Sequence, residues 1–252
     1  MHLPPAHAEH SIPILHSFIR QHPLGIFTTA LPNPSFSTLQ TSHVPFILDV
    51  DEEDPDDRGR LRAHMARANP QAKAIVDALA SKTSGPGGDE DGGVLEEDVL
   101  IVFSAPVHSY VTPKFYTSTK PSTGKVVPTW DYAAVQAYGK ARIYHAPSTE
   151  TGEFLAKALG DLSQQEERTM LERMGNEDGK PWDLSEAPEK YVEILKKAII
   201  GIEITLTKLE GRFKLSQEKA GGDWQGVVEG FRAMGTGEGD VMADMIKERG
   251  PV

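Results

Sequence analysis

Acidic residues dominate this chain, 37 Asp and Glu against 26 Lys and Arg, yet the stretch from Arg58 to Lys73 holds Arg58, Arg60, Arg62, Arg67 and Lys73 and no carboxylate. His64 lies within it. If Gly59 to Met65 is a strand, Arg60, Arg62 and His64 project to one face at period two. Arg67 then leads into a helix that Asn69 caps and Pro70 opens at its first position. Exposed backbone N–H groups and the positive end of the helix dipole make such a corner an anion site. Arg67 and His64 would supply charge-assisted bonds to a phosphate. A second reading stands beside it: the same arginines pair with the run from Asp49 to Asp57, seven acidic residues in nine. The patch is too short for a duplex footprint, so a small phosphorylated ligand suits it better than DNA.

Another dense stretch runs from Tyr110 through Pro113, Lys114, Phe115 and Tyr116, and continues from Gly124-Lys125 to Trp130-Asp131-Tyr132. Aromatic rings beside lysines and prolines, without a core-like period, suit the wall of a planar-ligand site. The alternative is that Trp130 and Tyr132 simply pack one end of a barrel. Other chemistry is missing. No phosphate-loop, serine-elbow or H-E-x-x-H pattern occurs. Gly235 to Gly239 follows no strand and reads as tail. His2, His7, His10, His16 and His22 crowd the N-terminus without metal-ligand periodicity on one face, so no metal site is expected. Asp89-Glu90-Asp91 lacks the ligand alternation of a calcium loop. With no cysteine in 252 residues, disulfides, thiolate nucleophiles and Cys-based zinc sites are excluded. A net charge of −11 weighs against nucleic-acid or anionic-membrane binding. No apolar run has the roughly 18 residues of a membrane span, and the first residues lack signal-peptide features. The expectation is a soluble, cytoplasmic protein.

The elements that must position these groups follow from periodicity. Ser11 to Gln21 is helical, stopped by Pro23. Ile26 to Ala30 and Ser37 to Leu48 form a hairpin or meander around Leu31-Pro32-Asn33-Pro34. A helix runs from Asn69-Pro70 to about Leu79. Ser81 to Asp98 is Gly-rich and acidic, a flexible insertion. Val99 to Phe103 is a central strand, Ser109 to Thr112 another, and Val135 to Tyr144 a long one. Helices follow around Phe154 to Leu162 and, begun by Pro188, around Tyr191 to Ile199. Ile202, Ile204 and Leu206 alternate with polar neighbours in a half-buried strand. The tail from Gly221 to residue 252 is set aside as peripheral. Successive short strands favour a small antiparallel barrel with attached helices, a mainly β, α+β class, over a doubly wound sheet.

Two segments carry a resemblance. Leu61-Arg62-Ala63-His64-Met65-Ala66-Arg67-Ala68-Asn69-Pro70-Gln71 resembles the L-x-x-H-x-A-R-A-N-P-Q segment of the PaiB-like proteins. Lys125-Val126-Val127-Pro128-Thr129-Trp130-Asp131-Tyr132, with Val135 and Gly139, resembles their K-V-V-P-T-W-N-Y-x-x-V segment. Phe18-Ile19-Arg20, Pro23-Leu24-Gly25, His43-Val44-Pro45-Phe46, Gly201-Ile202-Glu203-Ile204 and Lys214-Leu215-Ser216-Gln217 fall in the same order, so the likeness covers about residues 1 to 220. It implies an FMN-binding split β-barrel, related in fold to pyridoxamine-phosphate oxidases, with FMN as cofactor and a homodimer as the working form. By motif position, Thr41, Ser42 and His43 would line the flavin. Arg62, His64, Arg67 and Asn69 would take the phosphate side, and Lys125, Trp130 and Tyr132 would add contacts from the same or the partner subunit. Asp131 departs from the family's usual Asn, and the insertion at 81–98 is long. Bacterial members are often labelled transcriptional regulators. Three functions therefore stay open: a flavoprotein oxidoreductase, a ligand-sensing regulator-like protein without catalysis, and a haem-binding split-barrel protein. No catalytic residue is assigned.

Overall fold

The computed structural model describes residues 1–83, 93–219 and 221–251. In chain order the elements are β1 (Ala8–Glu9), α1 (Ile12–Gln21), β2 (Leu24–Ala30), β3 (Leu39–Pro45), β4 (Ile47–Asp49), β5 (Arg60–Ala66), α2 (Pro70–Thr83), β6 (Val99–Ser104) and β7 (Ser109–Val111). There follow α3 (Thr119–Thr123), β8 (Thr129–Tyr144), α4 (Thr149–Arg173), α5 (Glu189–Lys197), β9 (Ile199–Lys214), α6 (Gly221–Arg232) and α7 (Gly237–Arg249). The chain divides into two compact units, one of residues 23–102 and 137–209, the other of residues 1–22, 103–136 and 210–252.

The first unit carries the strand order β3-β2-β6-β8-β9-β5-β4. Pairings β2–β3, β2–β6, β4–β5 and β5–β9 are antiparallel. This is the mainly β antiparallel class with attached helices expected of a split barrel. Alternation fills the core: Phe27, Leu61, Ile101, Ile202 and Ile204 are fully buried, each from an inward position of its strand. Where β8 meets β9, Gly139 lets the strands close up, since a Cβ there would run into the Thr205 carbonyl. The expected strand Ser37 to Leu48 breaks in two. Phe46 leaves the ladder, its N–H donating to the Pro23 carbonyl at 2.9 Å while its ring is buried. The helix α4 starts on Ser148, whose Oγ accepts from the Thr151 N–H at 3.1 Å. It packs on β4 and β5.

In the second unit β1 pairs with β9 and β7 with β8, both antiparallel. Leu15 and Ile19 of α1, Phe103, Val227 and Phe231 of α6, and Ile246 of α7 are fully buried there. The tail beyond residue 220 is thus not peripheral. Its two helices contribute core residues, and Arg249 pairs with Glu9 at 2.6 Å. The Gly-rich composition misled because Gly222, Gly226 and Gly230 recur every fourth residue and serve close packing: a Cβ on each would collide with Ser118 or Phe115. The insertion 81–98 also needs correction at its described ends. Residues 81–83 finish α2, and Val94 bridges to Arg142 with Leu95 buried. Residues 84–92 of that stretch lie outside the described residues.

Candidate functional site

The β3–α2 corner gathers several of the expected groups. Asn69 caps α2: its Oδ1 accepts from the Gln71 N–H at 2.8 Å, and its Nδ2 donates to Ser42 Oγ at 3.0 Å. Thr41 hydrogen-bonds Thr28 across the β2–β3 ladder at 3.2 Å. A cleft of about 490 Å³ opens here, lined by Ser35, Ser37, Gln40, Thr41, Asn69 and Gln71. β3 ends the strand order, and Leu39, Thr41 and His43 are exposed on one of its faces, Leu39 by 70%.

Two residues of this cleft were not singled out by sequence reasoning. Gln71 is 1% exposed. Its Nε2 is held by the Phe27 carbonyl, Thr29 Oγ1 and the Gln40 carbonyl, at 3.1–3.2 Å. Its Oε1 is buried with no hydrogen-bond partner, and so is Gln40 Nε2. A buried acceptor and a buried donor left open cost free energy unless a ligand meets them. The only hint in the sequence was the place of Gln71 at the end of the L-x-x-H-x-A-R-A-N-P-Q segment.

The arginines separate into two kinds. Arg62 is 6% exposed, chelated by Asp49 through Nε and Nη2 and bridged to Asp161 of α4 at 2.8 Å, with only its Nη1 left without a partner. The Asp49 hydrogen bonds hold its guanidinium even more firmly protonated than usual. His64 lies two residues on along the same β5 face, and its Nδ1 is buried without a partner. Burial lowers its pKa, leaving the ring neutral at neutral pH. Neither residue thus brings a free charge to a phosphate, though each keeps one unpartnered nitrogen. The cause is α4, a helix about a hundred residues downstream whose cover over β5 no local pattern announces. Arg60 pairs with Glu203 at 3.4 Å. Arg67 alone of this trio of strand-and-turn arginines has no carboxylate partner among the described residues. Its Nε donates to the Lys197 carbonyl at 3.0 Å and its Nη2 to the His145 carbonyl at 2.6 Å. Two backbone carbonyls and no carboxylate thus meet its charge.

Lys125, Trp130 and Tyr132 belong to the other unit. Lys125 is exposed in the loop before β8. Trp130 Nε1 donates to His108 Nδ1 at 3.2 Å, and its half-exposed ring meets Tyr110 edge-on at 6.4 Å. Tyr132, on the same face of β8, lies under Arg212 at 5.7 Å. Between them Asp131 points inward, fully buried. It accepts from Ser216 Oγ at 2.6 Å and sits 3.4 Å from Lys214 Nζ. Burial raises its pKa, an effect that Ser216 and Lys214 partly offset.

The donor set of the β3–α2 corner fits FMN. Arg67, met by no carboxylate among the described residues, and the α2 start suit a phosphate, and the open donor and acceptor of Gln40 and Gln71 suit a ring edge that both donates and accepts. Among the described residues no helix is long and apolar enough to cross a membrane. An uncharacterized protein of Aspergillus fumigatus is 48% identical to this chain over 259 residues, covering 99% of this chain and 98% of its own. The protease synthase and sporulation protein PAI 2 of Bacillus subtilis is 24% identical over 233 residues, 92% of this chain and 90% of its own. A solved flavocytochrome of Azotobacter vinelandii matches 87% of this chain and 73% of its own, with 11% identity and a TM-score of 0.43. The family model described as "Putative FMN-binding domain" matches residues 1–208. On that match, which takes in β3, β5 and the start of α2, the chain belongs to this FMN-binding domain family.

Proposed function

We propose that the chain is a flavoprotein that binds FMN at the β3–α2 corner, with Thr41, Ser42, His43, Asn69 and Arg67 among its contacts. The observation that carries this reading is the pair of unmet groups, Gln71 Oε1 and Gln40 Nε2, in the cleft at the start of α2. Family membership supports the identity of the ligand. When bound, FMN supplies hydride and single-electron chemistry at its ring, and the chain supplies position and charge. The exposed face of edge strand β3 supports a homodimer, because an edge left open invites pairing. Lys125, Trp130 and Tyr132 stay candidates for contacts from either subunit.

FMN and riboflavin differ at the phosphate, so titrating flavin fluorescence with both ligands tests the assignment. Arg67→Ala should weaken FMN about ten- to a hundredfold and barely move riboflavin, as the loss of one charge-assisted bond predicts. Arg62→Leu should leave both affinities unchanged. Equal losses of FMN and riboflavin in Arg67→Ala would make that residue structural, and no FMN binding at all would sink the reading. Reduction of bound flavin by NAD(P)H, followed by reoxidation, would mark an oxidoreductase; binding without turnover would mark a sensor. Light scattering should give twice the chain mass of 27.5 kDa.

A further inference from the structure

The unit formed by residues 1–22, 103–136 and 210–252 holds a cleft of its own, about 620 Å³ in volume. It is lined by Phe18 of α1, Ala133 of β8, Phe213 of β9 and Leu215, all buried. Ile14 of α1 and Val241 of α7 bring exposed apolar side chains to it, at 43% and 44% exposure. This volume falls within the roughly 300–1,000 Å³ of small-molecule sites.

The charges around the cleft decide what it can hold. Arg249 is the sole Lys or Arg among its lining residues. Its Nη1 donates to Glu9 Oε2 at 2.6 Å, its Nη2 to the Ala8 carbonyl at 3.3 Å, and its guanidinium lies 5.1 Å from the Phe213 ring centre. That charge is already neutralised within the unit. Burial lowers the pKa of His22, so its ring is neutral at neutral pH, packed edge-on against Phe18 at 4.6 Å. Glu248 is exposed to water. A phosphorylated ligand such as FMN finds no free cation here. The remaining polar groups are the Ser17 hydroxyl, the Gln21 amide that donates to it at 3.2 Å, and the His22 imidazole, all at the C-terminal end of α1. Buried charge without a partner is costly, whereas apolar surface gains on leaving water.

We propose that this cleft is a binding site, separate from the β3–α2 corner, for a neutral and mainly hydrocarbon or aromatic small molecule whose one polar group hydrogen-bonds to the Ser17–His22 end of α1. The neutral dye N-phenyl-1-naphthylamine is the probe, used on the full chain with and without FMN. A saturable fluorescence rise at one site per chain is expected in both states, and dodecanol should displace the dye about tenfold better than dodecanoate. Ser17→Trp fills the cleft from an exposed position, and Val241→Lys puts a charge on it from another. Each should weaken the dye about tenfold or more, with an unchanged circular-dichroism spectrum as the check on folding. Four outcomes would overturn the proposal: no saturable binding, unchanged affinity in both variants, dodecanoate competing as well as dodecanol, or a signal that rises only when an oligomer dissociates. The last would give the cleft to a second copy of the chain.

Discussion

Asp131 and Lys214 show how single residues in this chain are governed by what lies over them. Asp131 is fully buried, and its raised pKa means that the folded state holds its proton to higher pH than the unfolded chain does. Between those two values the folded state binds more protons, so this site's contribution to stability falls as pH rises. Asp131→Asn removes that slope. The melting temperature of the variant relative to the wild type should therefore climb as pH rises above the ordinary carboxylate range of about 4. A constant or falling difference would mean that the Lys214 pair outweighs the desolvation. Legibility at this scale divides in the same way. Asn69 as the cap of α2 could be read from the sequence because a cap is local. The pairing of Arg62 with Asp49 was one of the two readings the sequence offered, but its other partner, Asp161, arrives from a distant helix. The open amides of Gln40 and Gln71 had no local signature, since only their surroundings leave them unmet.

Among the elements, α6 gives the sharpest test. Gly226 faces the Phe115 carbonyl so closely that a Cβ would have to displace backbone. Gly226→Ala would raise helix propensity by about 1 kcal/mol in isolation. Overpacking should reverse the sign, for a net loss of about 1–2 kcal/mol in urea unfolding. A stabilised variant would show that α6 is free to shift. The same glycines explain why sequence reading erred here. Their spacing looks like the composition of a loose tail, yet it is a contact surface whose partner, the 115–118 segment, lies a hundred residues earlier. Elements with strong internal periodicity fared better. Helix α1 and strands β2 and β6 lie where alternation and proline stops put them. Strands β8 and β9 extend further than expected, to 16 residues each. In β9 exposed residues around Thr207 and Lys208 interrupt the apolar pattern, and in β8 the exposed Trp130 and half-buried Tyr132 hide the strand's start.

For the whole molecule, a net charge of −11 and a basic segment largely tied up in internal pairs predict no sequence-specific DNA binding. A selective gel shift that survives about 0.2 M salt would contradict this, because phosphate contacts weaken steeply with ionic strength. The chain path has a further consequence, for synthesis. The unit containing α1 is drawn from both ends of the chain and a middle segment, and Glu9 waits for Arg249. On the ribosome, α1 is made long before α7 and cannot meet it until all the chain between them has been made. At roughly 5–20 residues per second, α1 spends on the order of ten seconds or more with its apolar face unshielded. The other unit needs nothing beyond residue 209, so it can close while the remainder is still being made. A nascent chain stalled before α7 would thus present one finished unit and one helix still seeking its partner, a natural client for a chaperone at the exit tunnel.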